Sequence, residues 1–206
     1  MTELPLIAIL RGVTPNSVLQ VAEVLIESGF SKIEVPLNSP DAITSITMLV
    51  QEYANRYSIG AGTVTSVKLA QNAIDTGANL IVSPNFNPDV VRMSVAAGCD
   101  CYPGVVTPTE CFAALQSGAT GLKLFPISLL GISGFKAIKS VLPSDAQTYP
   151  VGGINPTDKS MHPYLAAGAT GFGLGSALYK PSMDLVSVRK SAMLFVESFR
   201  RFTSSN

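Results

Sequence analysis

A glycine between a small residue and a small or apolar one recurs along this chain. It appears as SGF at Gly29, TGA at Gly77, AGC at Gly98, SGA at Gly118 and AGA at Gly168. The intervals are 48, 21, 20 and 50 residues, so two are single steps and two hold a double step. The unit is about 20–25 residues long, and roughly eight units fit the chain. Each unit reads alike: an amphipathic helix, a glycine that caps it, then a short strand rich in Val, Ile and Leu.

The strands read Pro5–Leu10, Lys32–Leu37, Ser58–Val64, Leu80–Pro84, Asp100–Val105, Gly121–Pro126, Thr148–Gly153 and Gly171–Gly175. Helix starts are marked by a capping residue or proline at Thr14, Ser39, Asn87, Thr107 and Asn155. Strict strand–helix alternation predicts a parallel sheet with helical crossovers. Eight units predict closure into a single-domain (β/α)8 TIM barrel over residues 1–206. The competing arrangement is an open doubly wound sheet. It calls for a G-x-G-x-x-G loop after the first strand, and LRGVTP is not one.

Composition narrows the partners. Charged residues are 14% of the chain, against roughly 25% in an ordinary soluble domain. Mean hydropathy is +0.34. The chargeless stretch Leu165–Tyr179 carries four glycines and falls short of the roughly 20 apolar residues that span a bilayer. A soluble oligomer that hides surface in subunit contacts is the expectation. Net charge is +0 with no Lys/Arg stripe, which gives nucleic acid or a membrane surface no electrostatic hold. The start MTELPLIAIL lacks a basic segment and cleavage site, so no signal peptide is expected. Cys99, Cys101 and Cys111 fit neither a disulfide framework nor a zinc set, and read as buried thiols of a cytoplasmic protein. The single His162 excludes a multi-histidine metal site.

In such a barrel the chemistry lies at the C-terminal strand ends. That rule selects Arg11, Glu34 with Asn38, Thr63, Pro84, Thr107, Lys123 with Phe125, Gly152 with Gly153, and Gly175 with Ser176. Lys123 stands between Leu122 and Leu124. Alternation along a strand sends the leucines toward the helices and Lys123 into the barrel. Glu34 breaks the second strand in the same way, diametrically opposite the sixth. A lysine in a low-dielectric pocket loses affinity for its proton and becomes a nucleophile toward a carbonyl. A carboxylate across the cavity can shuttle protons. The alternative use of the two residues is a structural ion pair filling the barrel. Gly152, Gly153, Gly175 and Ser176 close the last two strands, where backbone N–H groups often hold phosphate, and Arg11 adds an anion partner.

Taken together and in order, LPLIAILRG, IEVPLNSP, IGAGTV, SPNF, GLKLFP, PVGGINP and GLGSALY resemble the class I 2-keto-3-deoxy-6-phosphosugar-acid aldolases over nearly the whole chain. The resemblance implies a (β/α)8 homotrimer without metal or organic cofactor. Its substrate is a phosphorylated keto-deoxy sugar acid, cleaved to pyruvate and glyceraldehyde 3-phosphate. By matching position it makes Lys123 the Schiff-base lysine and Glu34 the general acid/base. Thr63 and Arg11 contact the carboxylate end, Pro84 lines the pocket, and Gly152, Gly153, Gly175 and Ser176 hold the phosphate. Gluconate-type members usually carry arginine at the position of Asn38 and threonine at that of Val151. Both departures are similar to the galactonate type, with the gluconate epimer or dual C4 specificity as the alternative. The missing arginine gives Arg11 more of the carboxylate. His162 falls in Asn155–Gly168, a segment about two residues longer than the resemblance suggests, and reads as a helix-surface or subunit-contact residue. Two rival uses of the barrel dispense with the imine: isomerisation or decarboxylation of a sugar phosphate, and non-catalytic binding of one.

Overall fold

The computed structural model describes residues 4–204. Strands and helices alternate: β1 (Leu4–Ile9), α1 (Pro15–Glu27), β2 (Phe30–Pro36), α2 (Ala42–Tyr53), β3 (Ser58–Gly62), α3 (Val67–Ile74), β4 (Leu80–Val82) and α4 (Pro88–Ala96). Then follow β5 (Asp100–Tyr102), β6 (Gly104–Val105), α5 (Pro108–Gln116), β7 (Leu122–Leu124), α6 (Ile127–Lys139), β8 (Thr148–Pro150), α7 (Asp158–Ala166), β9 (Phe172–Leu174) and α8 (Leu185–Ser204).

The strands pair in parallel as β5-β4-β3-β2-β1-β9 and as β6-β7-β8. Two joints close the ring. The chain runs from β5 to β6 through Pro103, and Val151, just past β8, bridges Gly173 of β9. The result is the expected (β/α)8 barrel, with its fifth stave in two pieces. Proline has no N–H to give a ladder, so the stave breaks there. The Pro103 carbonyl still accepts from the Lys123 N–H at 3.0 Å.

The repeat glycines end helices as their spacing predicts. Gly29, Gly77, Gly98, Gly118 and Gly168 have φ of 108°, 86°, 78°, 95° and 90°, a region costly for residues with a Cβ. Two helix starts differ from expectation. At α2 the N-cap position falls to Asp41, not Ser39, and Asp41 makes no side-chain cap hydrogen bond; α7 is capped by Thr157, not Asn155. Ser39 is spent elsewhere: its Oγ accepts from the Gly12 N–H at 2.9 Å. Thr107 behaves as expected and forms a reciprocal capping box with Glu110.

Alternation sorts the side chains. Leu122 and Leu124 join the large apolar layer between strands and helices, with Ile33, Val35 and Phe135. Ile7, Leu80, Val82, Tyr102 and Tyr149 form a separate cluster inside the ring. The two tyrosine rings meet edge to face at 5.0 Å. Gly121 makes room for them, since a Cβ there would lie 3.0 Å from each ring. At the N-terminal end Lys32 Nζ reaches Asp100 Oδ2 at 3.0 Å and Ser58 Oγ at 3.2 Å, closing the floor. The interior is therefore polar below, apolar in the middle and polar again at the mouth. Among the described residues no helix is long and apolar enough to cross a membrane.

Candidate active site

Lys123 sits on β7 between Gly104 of β6 and Tyr149 of β8 in register. It is 7% exposed, and its Nζ donates no hydrogen bond among the described residues. Its Nζ lies 5.0 Å from the centre of the Phe125 ring, at cation–π distance when protonated. Burial pushes its pKa down; Glu34 pulls it up, and Arg11 pushes it down further. The amine is thus held closer to its neutral, nucleophilic form.

Glu34 lies on β2, 1% exposed. Its Oε2 is buried without a hydrogen-bond partner among the described residues. A carboxylate stripped of water and donors resists ionising. Burial pushes Glu34 up to about 7, with Lys123 and then Arg11 opposing. A carboxyl group so poised can give or take a proton near neutral pH. Its space is provided by Gly62 on β3, where a Cβ would overlap the Glu34 carboxylate. The sequence reading did not single out Gly62, because the need for it appears only once β2 and β3 lie side by side.

At the rim, Arg11 donates through Nη1 to Asn38 Oδ1 at 2.5 Å and through Nη2 to Thr63 Oγ1 at 3.4 Å. Thr63 has a φ of 58°, unusual for a β-branched residue, and such strain concentrates at functional sites. Val151 is buried against Gly173, where a Cβ would lie 2.6 Å from its Cγ2. Gly152 and Gly153 follow with φ of 98° and 85°, and Gly152 lies beside the Phe125 ring. Gly175 begins a single turn, its carbonyl accepting from the Leu178 N–H at 2.8 Å, and Ser176 within that turn is exposed. Pro84 is half-buried and its carbonyl packs on Gly104. Lys123, Phe125, Val151 and Gly152 thus gather on one wall, Glu34 on another, and Arg11, Asn38 and Thr63 on the rim. Pro84 and Ser176 make no hydrogen bond to the Lys123–Glu34 pair among the described residues.

Thr107 lies at the mouth but serves its helix cap. His162 is far from this chemistry in the chain: it packs on α8, with Nε2 3.0 Å from the Ser198 carbonyl and 3.3 Å from Asp158 Oδ1. All three cysteines are free and buried. Among the described residues no three His, Cys, Asp or Glu side chains gather to hold a metal ion.

The class of the protein, an aldolase and so a carbon–carbon lyase, is shown by its relatives. The chain belongs to the KDPG and KHG aldolase family, whose model matches residues 1–190. It is 46% identical over 197 residues to a probable 2-dehydro-3-deoxy-6-phosphogalactonate aldolase of Rhizobium meliloti, covering 96% of this chain and 92% of that one. It is 42% identical to the 2-dehydro-3-deoxy-6-phosphogalactonate aldolase of Escherichia coli, over 97% and 96% of the two chains. A solved structure described as native KDPGal superposes with a TM-score of 0.95 at 41% identity, over 99% and 98%. A KDPG aldolase of Legionella pneumophila, solved with pyruvate captured as a covalent carbinolamine, superposes at 0.79 with 27% identity, over 95% and 92%.

Proposed function

We propose that this chain is a class I aldolase that cleaves 2-dehydro-3-deoxy-6-phosphogalactonate to pyruvate and D-glyceraldehyde 3-phosphate. The observation that carries the reading is the opposed pair: a buried lysine whose proton is loosened and a buried carboxyl whose proton is retained. Environments that push two titratable groups toward each other suit proton exchange between them and a substrate.

Neutral Lys123 attacks the C2 carbonyl carbon, and the carbonyl oxygen takes a proton. Loss of water from the carbinolamine leaves an iminium. Glu34 supplies and recovers the protons of these steps. As carboxylate it then accepts the C4 hydroxyl proton. The C3–C4 bond breaks, its electrons pass to the iminium, and glyceraldehyde 3-phosphate leaves. Protonation of the enamine at C3 and hydrolysis release pyruvate and regenerate Lys123.

Arg11 and Thr63 face the carboxylate end, and Pro84 and Phe125 wall the pocket. The backbone around Gly152, Gly153, Gly175 and Ser176 receives the phosphate, an anion suited to clustered N–H donors. Val151 and Asn38 favour the galactonate epimer, in line with the names of the relatives at 42–46% identity. We read residues 1–206 as one domain of a cytoplasmic homotrimer. Low charge and exposed apolar side chains such as Leu129, 82% exposed, support association.

Pyruvate followed by borohydride tests the covalent step. The reduced adduct is expected on the Lys123 peptide, and Lys123→Met should lose adduct and cleavage together. An unmodified Lys123 in active protein would sink the imine and leave the isomerase or decarboxylase alternatives.

A further inference from the structure

The rim holds an arrangement that the mechanism above does not use. Two consecutive residues after β2 grip two consecutive residues after β1. Asn38 Oδ1 accepts from Arg11 Nη1 at 2.5 Å, and Ser39 Oγ accepts from the Gly12 N–H at 2.9 Å. Gly12 needs this hold. Its φ is 83°, and it is pressed against Pro181, where a Cβ would meet the ring at 2.7 Å. Ser39 is buried while Asn38 and Arg11 are exposed, so the grip runs from the packed loop base outward.

We propose that Asn38 is a positioning residue for Arg11: with Ser39 it clasps the end of β1 and holds an uncompensated guanidinium toward the substrate carboxylate. The inference rests on the aldolase reading. A free arginine side chain has about 2 kcal/mol of rotamer entropy to lose on binding; one already held loses less. Asn38 and Thr63 occupy one donor on each terminal nitrogen. A guanidinium has five donors, so enough remain for a carboxylate. The choice of an amide matters chemically. Asparagine accepts the hydrogen bond and brings no charge. Aspartate would make the same bond and cancel the positive charge it is meant to present.

The test is a double-mutant cycle on pyruvate capture. Half-saturation and maximal rate of borohydride-trapped adduct are measured for the native protein, Arg11→Ala, Asn38→Ala and the double variant, with thermal melts alongside. Losing a hydrogen bond to a charged group predicts a half-saturation raised roughly tenfold in Asn38→Ala. The saturated rate should stay within about twofold. In the Arg11→Ala background, removing Asn38 should cost nothing further. Asn38→Asp should also raise half-saturation although it keeps an acceptor at that place. If Asn38→Ala costs as much without Arg11 as with it, or if Asn38→Asp binds pyruvate as tightly as the native chain, the clasp is overturned. A native protein that forms no adduct would sink the aldolase reading and the clasp with it, whereas additive losses sink the clasp alone.

Discussion

Replacing Glu34 by glutamine should make the fold less sensitive to pH while ending catalysis. The carboxyl titrates near 4.5 in an unfolded chain and is pushed up to about 7 in the barrel. Between those values the folded state keeps a proton that the unfolded state has lost. Stability therefore falls as pH rises through that window, untouched below it and fully diminished above it. The gap is about 2.5 pH units, and at about 1.4 kcal/mol per unit ionising Glu34 costs the fold about 3.5 kcal/mol over the whole window. The penalty is largely desolvation of a carboxylate whose Oε2 lacks a partner. Glutamine does not titrate. Urea unfolding near pH 5 and near pH 8, at one fixed protein concentration, gives the comparison. From the lower to the higher pH the native protein should lose about 2.5 kcal/mol relative to Glu34→Gln; Lys123, whose pKa falls further once the Glu34 charge is gone, can only widen that gap. Any constant cost of burying the amide cancels in this difference. Parallel behaviour of the two proteins would refute the burial argument, and with it the account of Glu34 as a proton reservoir.

Gly62→Ala places a methyl group on the Glu34 carboxylate; overpacking of this kind costs about 1–3 kcal/mol, and cleavage should fall by far more than the melting temperature suggests. Rates on the two C4 epimers, measured side by side, should favour the galactonate form, and Val151→Thr should move the ratio toward the gluconate form. An unchanged ratio would remove Val151 from the specificity argument. Light scattering should give a trimer, and Leu129→Glu, which charges an exposed apolar side chain, should weaken it; an unaltered trimer would place the contact elsewhere.

Much of the fold was legible because its punctuation is local. A helix that stops at a positive-φ glycine shows the glycine, and five of the joints do so. The ends of α2 and α6 carry no such glycine, which is why the intervals around them doubled. The orientation of Lys123 and Glu34 followed from alternation alone. The errors came where two segments compete for one side chain. Ser39 looks like a cap before Pro40 but holds Gly12 across to β1. Asn155 also looks like a cap, yet its N–H donates to Ser160 and Thr157 takes the capping position. Asn38 was legible as a rim residue, but its hydrogen bond from Arg11 was not, because that bond joins the ends of two different strands. Gly62 and the Tyr102–Tyr149 pair were invisible, because their meaning lies in the neighbouring strand.

That neighbour relation limits how the pocket can be altered. Glu34 sits over Gly62, Val151 over Gly173, and the two tyrosines over Gly121. Each bulky inward group on one stave occupies a hollow left on another. The interior therefore changes in couples: a larger residue in any of these hollows requires a smaller one across from it, and single substitutions there test packing before they test chemistry. A library meant to reshape substrate choice would recover more folded variants by drawing positions 151 and 173 jointly than by varying either alone.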